Sequence, residues 1–156
     1  MAEKSSYASD ILFISDPNPY KYIAASAVYV QASSEESSAV RLLEAMAFKV
    51  PVVAADCGAF SSDVLFEEYD PDFKCEKMTF ADRGMIVPPF GGKPNYDYSV
   101  TYGIHLDLAN AIKEMLLSER IKTLLVDKAY ESLKNNSADN TLKKYVEFAD
   151  KLYLCL

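Results

Sequence analysis

The chain is short of the residues on which several kinds of site depend. It has no tryptophan, one histidine, three cysteines and five glycines among 156 residues. Cys57, Cys75 and Cys155 are odd in number and widely spaced, with no C-x-x-C pair, so neither a zinc site nor a disulfide framework is expected. His105 has no positioned partner that would make it a catalytic base, and none of these four residues is given a role. The glycines, at 58, 84, 91, 92 and 103, cannot compose G-x-G-x-x-G, and Gly92-Lys93 is followed by Pro94 in place of Ser or Thr. P-loop nucleotide hydrolysis and conventional dinucleotide binding both fall away. No run of eighteen apolar residues spans a bilayer, and nothing near the N-terminus looks like a basic, apolar, small-residue signal. A soluble, cytoplasmic protein is the expectation.

Basic charge is scarce as well. There are 16 Lys and Arg against 23 Asp and Glu, a net charge of −7. Nucleic-acid binders carry a basic face that displaces counterions, so DNA and RNA are excluded as expected partners. The imbalance is local: residues 1–112 hold 8 basic and 16 acidic side chains, and residues 113–156 hold 8 and 7.

What remains is a chain half hydrophobic by composition, one domain's worth, with enough apolar content to bury a core. Short apolar runs at Ile11–Ile14, Val28–Val30, Pro51–Ala55 and Gly84–Val87 are continuous rather than alternating, the pattern of parallel strands covered on both faces. Helical segments lie between them. Asn18–Ala25 starts with an N-cap Asn and Pro19 at the first helical position, and Ser38–Phe48 carries Val40, Leu43 and Ala47 on one face. Strand, helix, strand, helix, strand is a βαβαβ run, so the fold class is α/β: a Rossmann-like parallel sheet flanked by helices, with a helical C-terminal third. Ligands in such sheets bind at the carboxyl ends of the strands.

The last third has three apolar stripes at helical spacing: Leu108 to Leu116, Ile121 to Leu133, and Leu142 through Tyr145, Val146, Ala149, Leu152 and Tyr153 to Leu156. The third could cover this sheet, reach a neighbouring domain or lie on a membrane surface. Packing is the favoured reading, because Lys143, Lys144 and Lys151 are interspersed with Glu147 and Asp150 and make no basic membrane face; peripheral membrane association is not indicated. Two connections, 66–83 and 88–105, are long enough to expect mobile or functional loops.

The stretch that carries chemistry runs from Ser33 to Ala47. It follows the second strand and opens a helix, so backbone N–H groups near Ser38 to Arg41 would face the crevice, where they and the helix dipole favour a phosphate. Glu36 and Glu44 are eight residues apart, about 12 Å along a regular helix and turned by roughly 80°. Carboxylates are poor partners for phosphate and good acceptors for hydroxyls, so the pattern suits sugars flanking a pyrophosphate. A plainer alternative stands beside it: Ser33-x-x-Glu36 is a capping-box pattern, and Glu44 has the spacing of a surface pair with Arg41.

Asn18-Pro19-Tyr20-Lys21-Tyr22-Ile23, Glu36 to Glu44 running into Ala45-Met46-Ala47, and Lys49-Val50-Pro51-Val52-Val53-Ala54 with Cys57-Gly58 resemble the C-terminal domain of family 4 retaining glycosyltransferases of the GT-B fold. Gly84-Met85-Ile86-Val87-Pro88 and Leu108-Ala109-Asn110-Ala111-Ile112 continue the resemblance in order. The resemblance implies roles. Glu36 is the catalytic residue, touching the transferred sugar; backbone of Ser37, Ser38, Ala39 and Val40 holds sugar and phosphates; Glu44 binds the ribose; Ser15 and Asp16 lie near the base. It implies no cofactor and a nucleotide-sugar donor, a UDP-sugar first. Two departures accompany it. Ser37-Ser38-Ala39 replaces a glycine-containing turn, and the early Arg and Lys that neutralise the diphosphate, together with the N-terminal acceptor-binding domain, precede the matched segment. Residues 1–156 then read as a single nucleotide-sugar-binding domain, the rear part of a longer two-domain enzyme. The alternatives are a non-catalytic interaction module built on that fold and a glycosidase. The glycosidase is disfavoured because its carboxyl pair faces across a cleft at roughly 5 to 9.5 Å.

Overall fold

The structure, a computed structural model, describes residues 5–68, 70–91 and 102–153. Strands β1 (Tyr29–Gln31), β2 (Val52–Ala55), β3 (Thr79–Phe80) and β4 (Met85–Val87) form one sheet in the order β1-β2-β4-β3. β1, β2 and β4 are parallel, and β3 runs antiparallel to β4 along the edge. Helices α1 (Tyr20–Ala24), α2 (Val40–Ala47) and α3 (Ala59–Leu65) alternate with the strands, and α4 (Gly103–Leu117), α5 (Glu119–Ser132) and α6 (Ala138–Tyr153) make up the C-terminal third. The mixed α/β sheet with flanking helices is the expected class.

Register explains why the strand runs are apolar without alternation. Val52, Ala54 and Ile86 turn to one face, where Leu42, Ala45 and Met46 of α2, Leu65 of α3 and Ala129 of α5 cover them. Val53, Ala55, Met85 and Val87 turn to the other, against Ala111 and Met115 of α4 and Leu125 of α5. Each fully buried Leu, Met or Val contributes roughly 1.5–3 kcal/mol of transfer free energy. With both faces occupied, one expected element has nothing left to cover. In α6 no residue is buried, and Leu142, Tyr145, Val146, Leu152 and Tyr153 are all exposed, so the stripe does not pack on this sheet.

Ile11–Ile14 also departs from expectation. It forms no strand, and Leu12 and Phe13 are 79% and 82% exposed. The apolar run was sufficient to suggest a strand, yet a strand needs a neighbour to complete its ladder, and none of the described residues pairs with it. The other boundaries shift slightly. Asn18 caps α1 as expected, its Oδ1 accepting the Tyr20 N–H at 3.2 Å with Pro19 in helical geometry. Regular α2 begins at Val40, two residues later than Ser38, because its first intrahelical bond runs from Leu43 N–H to Ala39 C=O at 3.1 Å. It ends in a Schellman turn: Val50 N–H donates to Ala45 C=O and Lys49 N–H to Met46 C=O, with Lys49 at φ 56. That turn aims the chain directly into β2. Of the 88–105 connection, residues 92–101 lie outside the described residues, as do Cys155 and Leu156.

Candidate functional site

β1 delivers the chain to the carboxyl rim of the sheet at Gln31, and residues 32–39 lead from there into α2. Glu36, half-buried in this loop, accepts a hydrogen bond from the Ser33 hydroxyl at 3.0 Å. No helix starts between them, so the Ser33-x-x-Glu36 pattern closes a loop and is not a capping box. Ser37 and Ser38 are exposed and Ala39 is buried. Ala39 supplies no side-chain cap, and the amides of Val40, Arg41 and Leu42 precede the first intrahelical bond.

Glu44, one turn further and half-buried, is held from two sides. Its Oε2 takes the Arg41 guanidinium at 2.8 Å and its Oε1 accepts the Tyr20 hydroxyl at 3.1 Å. The surface pair that spacing allowed is therefore present. The carboxylate bond holds Arg41 firmly protonated, raising its pKa. Two accepted bonds leave the carboxylate about half of its roughly four lone-pair sites.

Tyr20 also links Glu44 to the expected base end. Ser15 is exposed, while Asp16 accepts from the Lys21 ammonium at 2.8 Å, the Asn18 N–H at 2.9 Å and the Tyr22 hydroxyl at 3.4 Å. Lys21 first, then Asn18, hold its carboxyl below the usual carboxylate range, against a smaller opposing push from burial. Asp16 thus anchors the start of α1, and α1 presents Tyr20 to Glu44. Tyr29 of β1 belongs to the same neighbourhood: burial raises its pKa, Arg41 counters, and Glu36 and Glu44 both add to the rise.

Tyr20, Tyr29 and Gln31 are residues that pattern reasoning passed over. Tyr20 lies 24 positions from Glu44, and no helix or strand period connects them. Gln31 had a visible signal, an amide at the end of an apolar run. It is 4% exposed on the α2 face beside Ala54, and neither its Nε2 nor its Oε1 has a hydrogen-bond partner. An unpaired buried amide costs roughly 1–3 kcal/mol. Gln31→Leu is accordingly expected to stabilise the chain by about 1–2 kcal/mol in urea denaturation; a destabilised variant would show that the amide is satisfied in solution.

Residues 4–79 match the family model described as glycosyl transferases group 1. This stretch of the chain is a group 1 glycosyltransferase domain, of the C-terminal GT-B type. The match takes in α1, β1, α2, β2, α3 and the first residue of β3, and so includes every residue of the glutamate-bracketed loop. No curated protein matches the chain. Among the described residues, no helix is long and apolar enough to cross a membrane.

Proposed function

We propose that this group 1 glycosyltransferase chain binds a nucleotide-diphosphate sugar at the opening of α2, as the donor-binding half of a retaining hexosyltransferase of carbohydrate biosynthesis. The observation that carries the reading is the placement of three first-turn amides, Val40 to Leu42, at the carboxyl rim of a parallel sheet, between Glu36 before them and Glu44 behind. Amides and helix dipole favour the pyrophosphate, and the flanking carboxylates accept sugar and ribose hydroxyls. In this reading Glu36 touches the transferred sugar, backbone of Ser37, Ser38, Ala39 and Val40 holds sugar and phosphates, Glu44 takes the ribose, and Ser15 and Asp16 lie toward the base.

Transfer breaks the bond between the anomeric carbon and the diphosphate, so negative charge grows on the leaving group. Preorganised N–H donors stabilise that charge more than they stabilise the bound donor. Arg41, on the first turn of α2, is a cation of this chain at the same end. The acceptor hydroxyl is expected from a second, N-terminal domain. Support for such a neighbour comes from two exposed apolar surfaces, the 11–14 run and the α6 stripe.

Calorimetric titration of the chain with UDP-, ADP- and GDP-sugars tests this. The expected result is UDP-sugar binding in the sub-millimolar range, about −4 to −6 kcal/mol, with no transfer by the chain alone. A flat response to all three from folded protein sinks it. The second reading, a non-catalytic interaction module, is favoured by the same exposed surfaces and by side chains at Ser37, Ser38 and Ala39, which restrict how closely a ligand approaches the backbone. It predicts partner docking that does not depend on Glu44.

A further inference from the structure

The connection from α3 to β4 is longer than the hairpin at its end requires, and its course brings it to the rim of the sheet. At Cys75 the connection is held to the rim, its N–H donating to Asp56 Oδ2 at 2.9 Å, and the chain then runs back as β3. Asp56 is the residue directly after β2, and its own N–H bonds Val87 C=O at the end of β4 at 2.8 Å. Asp56 thus ties the ends of β2 and β4 together through its backbone N–H and holds the connection to them through its carboxylate. Phe73 is seated by Phe66, ring centroids 4.8 Å apart, and Asp70 shapes the turn before it by accepting the Asp72 N–H at 2.9 Å.

Between this connection and the β2–α3 turn lies a cavity of about 250 Å³, walled by Asp56, Gly58, Ser62, Asp70, Phe73 and Lys74. Gly58 holds φ +112, a conformation L side chains rarely adopt, and a Cβ there would meet nothing within 4 Å. The main chain is left bare beside open space.

The walls select a ligand class. Two carboxylates against one ammonium disfavour a phosphate or other anion. Among the described residues no three His, Cys, Asp or Glu side chains are grouped closely enough to hold a metal ion. What the walls do offer is hydroxyl acceptors at Asp56 and Asp70, a donor at Lys74 and an aromatic surface at Phe73, the few convergent polar groups and apolar wall that orient a small ligand. An uncharged ring carrying hydroxyls on its rim and C–H groups on its face uses all of them.

We propose that this cavity binds a neutral monosaccharide unit, in a subsite made by Asp70, Phe73 and Lys74 against the β2–α3 turn and separate from the amides of α2. The ligand class rests on the cavity walls and does not depend on the donor reading above.

The test is amide-resolved NMR on the whole chain, titrated in separate arms with UDP and with the methyl glycosides of glucose, galactose, mannose and N-acetylglucosamine. At least one glycoside shifts the Gly58, Ser62, Phe73 and Lys74 amides and leaves Ser37 to Arg41 in place. Asp70→Asn, which preserves the turn, weakens that binding about tenfold, as loss of a hydrogen bond to a charged group does, and leaves the UDP arm unchanged. Lys74→Gln, which leaves the backbone bonds of Phe73 and Cys75 on either side in place, weakens it about threefold. If UDP moves nothing while a glycoside still moves the cavity amides, the donor reading falls and the subsite stands. Glycosides that shift no cavity amide at tens of millimolar, or that bind folded Asp70→Asn and Lys74→Gln as they bind the unaltered chain, overturn it.

Discussion

Gly84→Ala is expected to lower stability by about 3 kcal/mol, at the upper end of what one inserted methyl does in a filled core. A Cβ at Gly84 would sit 2.7 Å from Val52 Cγ2, 2.9 Å from Leu65 Cδ2 and 2.9 Å from Val52 C=O. The two side chains could yield by changing rotamer, but the carbonyl belongs to β2, which is hydrogen-bonded on both sides to β1 and β4. Relief therefore requires moving the middle of the sheet. A fall of this size is a large part of the 5–15 kcal/mol that holds a domain together, and at a urea slope near 2 kcal/mol/M it moves the midpoint by ~1.5 M. Gly91→Ala is the control: a Cβ there meets nothing within 4 Å, and its midpoint should stay where it is. Equal midpoints for Gly84→Ala and the unaltered chain would mean that β2, α3 and the start of β4 are less closely packed than described.

The legible parts of the fold were those in which local chemistry and tertiary context agree. Val52–Ala55 is apolar at every position because both faces of β2 are covered, and Asn18-Pro19 opens a helix because cap and fixed φ act within three residues. Ile11–Ile14 shows the opposite case. Its composition is that of a buried strand, but burial depends on a neighbour that composition does not specify, and here the run is exposed. The stripe of α6 fails for the same reason: amphipathic periodicity identifies a face that seeks cover without saying what supplies it. Lys49 illustrates a third kind of gap. A left-handed residue at the end of α2 is usually glycine, and a lysine there carries no sequence signal for the Schellman turn it completes.

The candidate site was legible to the extent that it is local. Residues 33–44 are contiguous, so a reading of strand end, loop and helix start brought Glu36, the first-turn amides and Glu44 into one region. The partners that fix these groups come from elsewhere in the chain. Tyr20 reaches Glu44 from α1, Tyr29 lies in the shared field of both glutamates, and Gln31 is buried because of the sheet register. Contacts across 24 residues follow from how α1 docks beside α2, and no periodicity encodes that docking.

Glu44→Ala is expected to abolish measurable donor binding without unfolding the chain. In the proposed ribose role, removing the Glu44 carboxylate costs about 1.5–3 kcal/mol, a ten- to hundredfold loss, which takes a sub-millimolar ligand out of calorimetric range. Folding depends on Glu44 much less. Its ion pair with Arg41 joins side chains 20% and 54% exposed, and pairs of that kind contribute about 0.5 kcal/mol, with the Tyr20 bond adding a comparable amount. Binding and stability are thus predicted to separate. Tyr20→Phe sharpens the contrast, since it removes the hydroxyl that positions Glu44 but leaves the carboxylate, and a reduction in affinity of only a few fold is expected. An interaction module gives another pattern, in which Glu44→Ala leaves partner docking untouched because the surfaces available for docking, Leu12-Phe13 and the α6 stripe, lie on other elements. Calorimetry with a UDP-sugar and urea denaturation on the same two variants distinguishes them: undiminished donor affinity in folded Glu44→Ala excludes Glu44 from the ribose role, and with it the bracketing of the α2 amides on which donor recognition depends.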